Sequence, residues 1–532
     1  MAVAANPARA SVADMAAATP SSRDRYVDFL RALSIAVVVL GHWLMAIVYF
    51  TDGRVSGANA LEVIPGIWIL TWVLQVMPIF FFVGGFSNLV SIRAAYLKGQ
   101  SRREFIRSRV DRLMRPTLVF ISTWLVVALV LERVFALGPA VAHATALIAK
   151  PVWFLAVYML VVALGPFMLS LHERFGTRVP AAMVVGTVSV DVLRIGAGLE
   201  LLGYLNFAFV WLFAHQLGFF YADGTLTKLS RRSLVTCAAA ALSVLVVLTN
   251  ISVYSRSMVG VTGDGISNND PPSVCLIALT VWLVSLAMLA RDKVTVWLQG
   301  QRPWSGVIAA NGVIMTVFLW HLTALLLAVV VAYPLGFPQY EGGTAAWWIS
   351  RPLWLAVLTA FLVPLVMLFS RYERPRDTAS LHSDPPPPAA TVVGVALLVL
   401  GMAGFAQGGF AGMVGPTGTN LGLFEANPLL SAFHLVIGVG LMRSGSRATV
   451  ACCSAALVGL AVLESVPMAP RLLEIVPVTP GNVALHLLSG LALSLFVPDR
   501  PARPARPARP ARRDRPARRV RPARKEEERS VR

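Results

Sequence analysis

The chain has 532 residues, of which 56% are hydrophobic, and a formal net charge of +19. Such a hydrophobic fraction, gathered into repeated long apolar runs, is typical of a membrane protein and excludes a soluble protein of several globular domains. The basic residues lie in short loops and in the tail, where they set the orientation of the chain in the membrane. No nucleic-acid partner is therefore expected. The four cysteines show neither a disulfide framework nor metal-ligand spacing, so no metal site is expected.

Fourteen apolar runs are long enough to cross a bilayer as helices. Ten lie in the first part of the chain, near 27–50, 66–90, 116–137, 151–171, 180–198, 204–221, 233–253, 273–290, 306–332 and 346–370. Four more follow, near 391–409, 429–443, 447–464 and 482–498. The predicted fold is therefore an all-α polytopic membrane protein, with a bundle of about ten helices followed by a four-helix block.

Composition divides the chain into five predicted parts. They are a disordered N-terminal segment at 1–22, a membrane domain at 23–373, a Pro-rich linker at 374–390, a four-helix membrane domain at 391–498 and a disordered basic tail at 499–532. Four consecutive prolines mark the linker, because proline runs end helices and favour extended spacers. The N-terminal segment lacks the apolar core of a cleavable signal peptide, so the first span is expected to stay in the protein.

Every second loop is rich in lysine and arginine, beginning with the segment from Arg93 to Arg115. Such loops remain on the cytoplasmic side of the plasma (inner) membrane. With an even number of spans, the pattern predicts that both termini are cytoplasmic. Membrane lipids are then expected partners, since a basic tail is attracted to anionic headgroups on the inner leaflet.

The first span carries Asp28 and Arg31 near its start and His42 well inside. Eleven residues at 100° each come to about 20° beyond three full turns, so Arg31 and His42 share one helix face. Ionisable residues within a membrane helix are costly, which makes them candidates for function. Two structural alternatives stay open: Arg31 as an anchor paired with Asp28, and His42 as a hydrogen-bonded core histidine.

Two further groups of residues are candidates for the same site. Counted from the start of its span, His321 lies as deep as His42. The two imidazoles could therefore meet if the two helices are neighbours. The alternative is that His321 is a core histidine with a structural role. Arg109, Arg112 and Arg115 are spaced by three before a proline. They suit phosphate capture, because guanidinium groups bind phosphate well, but positive-inside anchoring explains them equally.

Other polar residues have structural explanations. Asp191 and Arg194, three apart on one span, are expected to satisfy each other. His215 and Gln216 lie near a helix end and are expected to be solvated. Gly84, one of two adjacent glycines in the second span, favours close helix packing.

A short motif occurs twice in the four-helix block. Pro428-x5-His434-Leu-x2-Gly438 is followed by Pro480-x5-His486-Leu-x2-Gly490. The repeat indicates two related helix pairs. The symmetry of the two histidines favours helix packing through hydrogen bonds.

The pattern Asp28-x2-Arg31-x10-His42 resembles the signature of the acyltransferase 3 family of polytopic membrane acyltransferases. Other pieces that match in order are Phe80-Phe-Phe-Val-Gly-Gly-Phe86, Arg115-Pro116, Val152-Trp-Phe-Leu155 with Tyr158, and Leu319-Trp-His321. Together they span residues 23–373. Many family members have Ser-Gly-Phe where this chain has Gly84-Gly-Phe86, so a serine hydroxyl is missing here. The four-helix block is similar to small uncharacterised actinobacterial membrane proteins, with Asn427-Pro428 and His434 matching.

The family resemblance implies transfer of an acyl group to a hydroxyl of a glycan, glycolipid or secondary metabolite of the cell envelope, as in O-acetylation of polysaccharides. Acyl-CoA would be a co-substrate, with no tightly bound cofactor. Arg31, Arg109, Arg112 and Arg115 would hold its phosphates and Asp28 would orient Arg31. His42 would act as general base, or as a covalent acyl carrier, and His321 or Trp320 would shape the acceptor side.

Two other functions remain open. A transporter or flippase for a lipid-linked glycan would use the same buried charges as a path across the membrane. The four-helix block could also dock other envelope enzymes.

Overall fold

The computed structural model describes residues 12–20, 22–51, 54–251, 253–260, 266–374, 385–465 and 474–495. Within these ranges the chain is mainly helical, and its strands form two short antiparallel pairs. The tail at 499–532, residues 375–384 of the linker and most of the segment at 1–22 lie outside the described residues. Disorder of the tail and of residues 1–11 therefore stays a prediction, but Val12–Ala17, which was also predicted to be disordered, forms a helix with Ala16 buried.

The helices of the first half are α1 (Val12–Ala17), α2 (Arg25–Met45), α3 (Ala60–Val63), α4 (Ile69–Leu74), α5 (Met77–Leu97), α6 (Arg102–Arg133), α7 (Gly138–Ala149), α8 (Pro151–Phe175), α9 (Arg178–Ala197) and α10 (Asn206–Ala222). The next are α11 (Arg231–Ile251), α12 (Val274–Trp297), α13 (Gln301–Gly312), α14 (Ile314–Ala332) and α15 (Ala345–Phe369). The C-terminal block, residues 388–495, holds α16 (Pro388–Gly408), α17 (Pro428–Arg443), α18 (Arg447–Ser465) and α19 (Pro480–Leu495). The strands are β1 (Ala46–Thr51), β2 (Arg54–Asn59), β3 (Thr419–Asn420) and β4 (Glu425–Ala426), which pair as β1–β2 and β3–β4.

Twelve helical segments among the described residues are long and apolar enough to cross a membrane. Two shorter apolar helices, α17 and α19, complete a one-to-one correspondence with the fourteen predicted spans. The predicted fold class, an all-α polytopic membrane protein, is confirmed.

The first span is shorter than predicted. Helix α2 ends at Met45, and the next six residues form β1, which pairs with β2. The prediction of a helix to residue 50 is wrong because Ile47, Val48, Tyr49 and Phe50 are residue types that favour strands, and an apolar run alone does not distinguish the two structures.

Several other spans also have different boundaries, among them the following two. The predicted helix at 306–332 is two helices that break at Val313, so His321 is the eighth residue of α14 and lies much nearer its start than predicted. At this break the amide of Asn311 donates to the backbone oxygen of Asp28 at 2.9 Å.

Helix α6 starts well before the predicted span and runs through Pro116. A prolyl residue removes one helical hydrogen bond, and the neighbouring Thr117 hydroxyl donates to a backbone oxygen of the same turn at 2.8 Å.

The C-terminal block shares its core with the helices of the first part. Helix α16 packs along α7 and α8 and forms a hairpin with α17, while α18 pairs with α19. At the end of α16, Gly409 has a φ of 77°, and a Cβ there would press on the backbone of Ala146. The backbone N–H of Gly412 donates to Glu132 at 2.8 Å. Helices of the first part of the chain thus cover one face of the C-terminal block.

Candidate active site

The centre of the candidate site is a pair of imidazoles on two neighbouring helices. His42 lies near the end of α2 and His321 in the first half of α14. Nδ1 of His42 is 2.7 Å from Nε2 of His321, and the ring centroids are 5.0 Å apart. The indole N–H of Trp43 donates to the backbone oxygen of His321 at 3.0 Å. The two helices are therefore held together at the level of the two histidines.

The hydrogen bonds define the proton positions of the neutral pair. Nδ1 of His321 is 2.7 Å from the backbone oxygen of Phe318. Because a carbonyl oxygen only accepts, this nitrogen carries the proton, and Nε2 of His321 is then an acceptor. Nδ1 of His42 must donate to it. Nε2 of His42 is left with a lone pair, which a general base or a nucleophile requires.

The His42 side chain faces space inside the bundle. His42 is exposed, although its partner His321 is fully buried. The lipid-facing side of α2 is marked by Leu33 and Leu40, which are 42% and 43% exposed. Both lie about 160–180° around the helix from His42. The imidazole therefore points away from the lipid and can meet a substrate between the helices.

Arg31 lies on the same face of α2, about 16 Å from His42 along the helix axis. Its guanidinium donates to the carboxylate of Asp28 at 3.3 Å and to the hydroxyl of Ser87 on α5 at 2.5 Å. Asp28 is 7% exposed and also pairs with Arg23 at 2.6 Å. The Arg31 side chain remains 29% exposed. Asp28 therefore orients Arg31 and leaves part of its guanidinium accessible.

The three predicted donor-binding arginines of α6 differ in their contacts. Arg109 lies within electrostatic range of both Arg31 and Arg112. Arg115 donates to the backbone oxygen of Arg374 at 3.0 Å and so fixes the segment after α15. Within the part of the chain that the structure describes, neither Arg109 nor Arg112 pairs with a carboxylate at hydrogen-bond distance. Arg31, Arg109 and Arg112 thus form a positive group at one end of the bundle, which is called the arginine cluster below.

Glu373 is a residue of the site that the sequence patterns did not single out. Its carboxylate accepts from the backbone N–H groups of Met315 and Thr316 at 2.9 and 3.0 Å, and from the Thr316 hydroxyl at 2.8 Å. It therefore caps the helix that carries His321. Burial raises the pKa of Glu373, and these hydrogen bonds and Arg112 oppose the shift. The sequence gives little indication of this role, because Glu373 is simply one acidic residue in a basic segment.

Aromatic side chains pack beside the histidine pair. The ring centroid of Phe154 on α8 is 5.3 Å from that of Phe318 and 5.8 Å from that of Tyr158. A Cβ on Gly84 would lie 3.0 Å from Cε2 of Tyr158. The glycine therefore lets the Tyr158 ring pack directly on α5. A serine at this position would require that ring to move.

The prediction that His215 and Gln216 are solvated is wrong, since both are fully buried. Helices α5 and α10 cross so closely that a Cβ on Gly85 would overlap the carbonyl of His215, and Gly218 is equally confined. This contact encloses His215, whose Nε2 is 3.0 Å from the amide nitrogen of Asn88. His215 and Gln216 are therefore part of the packing between these helices.

Asp191 and Arg194 do not form the direct pair that was expected. The Asp191 carboxylate accepts from the amide of Asn206 and the hydroxyl of Tyr254 at 2.8 Å each, and from the backbone N–H of Val274 at 2.9 Å. Arg194 donates instead to a loop carbonyl at 3.4 Å. Residues distant in sequence therefore satisfy Asp191, which spacing along one helix could not reveal.

The helix that carries His321 is also supported by the C-terminal block. Phe410, which follows α16, is 1% exposed, and its ring centroid is 5.9 Å from that of Phe120. The Phe120 ring lies 5.2 Å from that of Trp320. Trp320 precedes His321 and stacks on Phe369 at 3.8 Å. A continuous row of aromatic rings therefore links the C-terminal block to α14.

We expect Phe410→Ala to lower both stability and turnover. Truncating a buried phenylalanine costs about 3–5 kcal/mol in a well-packed core. Loss of the ring also lets Phe120 shift from Trp320, which precedes His321 in the chain. Thermal unfolding and transfer rates of the purified variant measure the two effects. Phe167→Ala is the control, because Phe167 is 54% exposed and both quantities should stay near wild type. Unchanged turnover per folded molecule in Phe410→Ala would contradict the positioning role.

Comparison with known families adds to this geometry. A family model described as an acyltransferase domain matches residues 24–371. A second model, a domain of unknown function designated DUF4383, matches residues 388–497. Comparison with curated proteins and with solved structures finds no match. Since the first model covers well over half of the chain, the protein belongs to the acyltransferase 3 family and is a polytopic membrane acyltransferase with a DUF4383 domain at its C-terminus.

Proposed function

We propose that the protein transfers an acyl group from acyl-CoA to a hydroxyl of a glycan, glycolipid or small hydroxylated acceptor. The observation that carries this proposal is the His42–His321 pair, whose hydrogen bonds leave a lone pair on Nε2 of His42. His42 is accessible from within the bundle, where an acceptor hydroxyl can approach it.

In the proposed reaction, His42 is the general base. Nε2 of His42 takes the proton of the acceptor hydroxyl as its oxygen bonds to the thioester carbon. The C–S bond breaks, and the CoA thiolate receives the proton from the imidazolium. His321 stabilises that imidazolium, because its Nε2 accepts the Nδ1–H of His42 throughout. A covalent acyl-histidine would use the same Nε2 lone pair.

The arginine cluster is the proposed site for the phosphates of the donor. Arg31 and His42 share one face of α2, and the extended pantetheine arm is comparable in length with the distance of about 16 Å between them along the helix axis. Guanidinium groups bind phosphate through paired charge-assisted hydrogen bonds. With phosphates on the cluster, the thioester would reach the level of the histidine pair.

We further propose that the donor enters from the cytoplasm and that both termini are cytoplasmic in the plasma membrane. The basic loops and the arginine cluster support this orientation, because positive segments stay on the cytoplasmic side. Reporter fusions at both ends of the chain test it. Activity of the reporters only on the outer side would overturn the orientation.

Acceptor-dependent release of CoA tests the proposed function. Purified protein in liposomes is incubated with labelled acetyl-CoA or a longer acyl-CoA and a panel of polysaccharide, glycolipid and small hydroxylated acceptors. The proposal predicts free CoA and labelled ester in equal amounts with at least one acceptor. Movement of a lipid-linked glycan across the bilayer without release of CoA would favour a transporter instead.

A further inference from the structure

A second group of buried ionisable side chains lies in the C-terminal block, outside the candidate active site. His434 on α17, His486 on α19 and Glu464 on α18 are 3%, 0% and 6% exposed. Nε2 of His434 is 2.9 Å from Nε2 of His486. Nδ1 of His486 is 2.9 Å from Oε2 of Glu464. A carboxylate and two imidazoles from three helices thus form one hydrogen-bonded row.

The repeated motif explains why the two imidazoles meet. A Cβ on Gly438 would press on the backbone oxygen of Gly394 in α16, and a Cβ on Gly490 would press on that of Ser454 in α18. The hairpins α16–α17 and α18–α19 are therefore closed in the same way. Each hairpin presents Nε2 of its histidine to the other hairpin. The hydrogen bond between these two nitrogens joins the hairpins.

The repeat does not account for Glu464. Two neutral imidazoles can satisfy a contact between helices without a carboxylate, and a buried carboxylate within a membrane domain is costly. Only the second hairpin supplies an acid to this row, so the two ends of the row are chemically different. That asymmetry indicates a function in addition to packing.

The directions of the hydrogen bonds follow from the ionised carboxylate. A carboxylate only accepts, so Nδ1 of His486 carries a proton and its Nε2 is an acceptor. Nε2 of His434 must donate to that nitrogen, which leaves a lone pair on Nδ1 of His434. Among the described residues, neither this nitrogen nor Oε1 of Glu464 has a hydrogen-bond partner. Both ends of the row are therefore unsatisfied.

We propose that His434, His486 and Glu464 form a proton-transfer site. A proton binds to Nδ1 of His434, the proton on its Nε2 moves to Nε2 of His486, and the proton on Nδ1 of His486 moves to Oε2 of Glu464. The row gains one proton, both hydrogen bonds reverse direction, and no other bond changes. The product is a carboxylic acid beside two neutral imidazoles.

The surroundings offer no other partner for the Glu464 charge within the described residues. Helix α16 has no ionisable side chain, and His486 is the ionisable residue of α19. Arg447 starts α18 about 26 Å along the axis from Glu464. Arg443 binds Asp111 at the far end of α17. The other ionisable residues on the described helices and loops of the block are Glu425, Cys452, Cys453 and Glu474.

Infrared difference spectroscopy of the full-length protein in lipid tests the proposal directly. Acidification should produce the carbonyl bands of protonated carboxylic acids, one of which should be absent from the difference spectrum of Glu464→Gln. Glutamine has the shape of neutral glutamate, so this variant should remain folded, as thermal unfolding can verify. Glu425→Gln is the matched control and should retain the band. An unchanged band in Glu464→Gln would overturn the proposal.

The route of the proton is tested by the rate at which the band appears after a jump to acidic pH. In His434→Gln the carboxyl group remains, but its proton source is lost, so we expect the rate to fall by about 10²-fold. His486→Gln interrupts the row in the middle and should behave alike, which keeps the test valid if one variant fails to fold. A wild-type rate in either folded variant would exclude transfer through the histidines.

Discussion

We expect His42→Ala to reduce the rate of acyl transfer by about 10²- to 10⁴-fold, the usual contribution of a positioned general base. The variant loses the Nε2 lone pair that takes the acceptor proton. The substitution also leaves Nε2 of the buried His321 without its donor, so the folded state of the variant is verified by thermal unfolding. Initial rates of labelled ester formation at saturating acyl-CoA measure the effect.

A second histidine provides the control for this experiment. His143 on α7 is exposed and has no part in the proposed site. His143→Ala should therefore keep the wild-type rate. If His42→Ala, inserted and folded as judged by thermal unfolding, transfers acyl groups at the wild-type rate, His42 is not the base.

The second large effect is expected for Arg31→Ala. The substitution removes a guanidinium of the arginine cluster and leaves Asp28 with Arg23 as its remaining partner. Losing one charge-assisted contact to a phosphate costs about 1.5–3 kcal/mol, so KM for acyl-CoA should rise by about 10- to 100-fold. Because the residue is distant from the reacting atoms, kcat should fall much less.

Substitution of an arginine outside the cluster separates this effect from a general loss of positive charge. Arg232 at the start of α11 is exposed, and Arg232→Ala should leave KM unchanged. Arg31→Lys keeps the charge without the planar fork and should give an intermediate KM. An unchanged KM in Arg31→Ala would make Arg31 an anchor of α2 rather than a donor contact.

The number and order of the membrane helices were predictable, because each span must be about twenty apolar residues long. Boundaries were less predictable where an apolar run could form more than one structure. Ala46–Thr51 continues the first run but forms a strand, and the run at 306–332 breaks at Val313. Helix α7 was missed because its twelve residues are too few to span a bilayer.

The candidate site was partly predictable, because an ionisable residue deep in an apolar helix is conspicuous. His42 and His321 were identified in this way, and the structure brings their rings together. His321 does not lie as deep in its helix as predicted, however, since α14 starts only seven residues before it. Contacts between distant segments were not visible in sequence. Glu373 caps α14 from beyond α15, and Phe410 reaches the site from another domain.

The most direct test of the account is a double-mutant cycle on the two histidines. In the proposed mechanism His321 acts through His42. It fixes the proton on Nδ1 of His42, so that Nε2 of His42 is the base. Transfer rates are measured for the wild type, His42→Ala, His321→Ala and the double variant, each verified as folded. The account predicts that the double variant is no slower than His42→Ala alone. Losses that multiply, as for two independent residues, would contradict it.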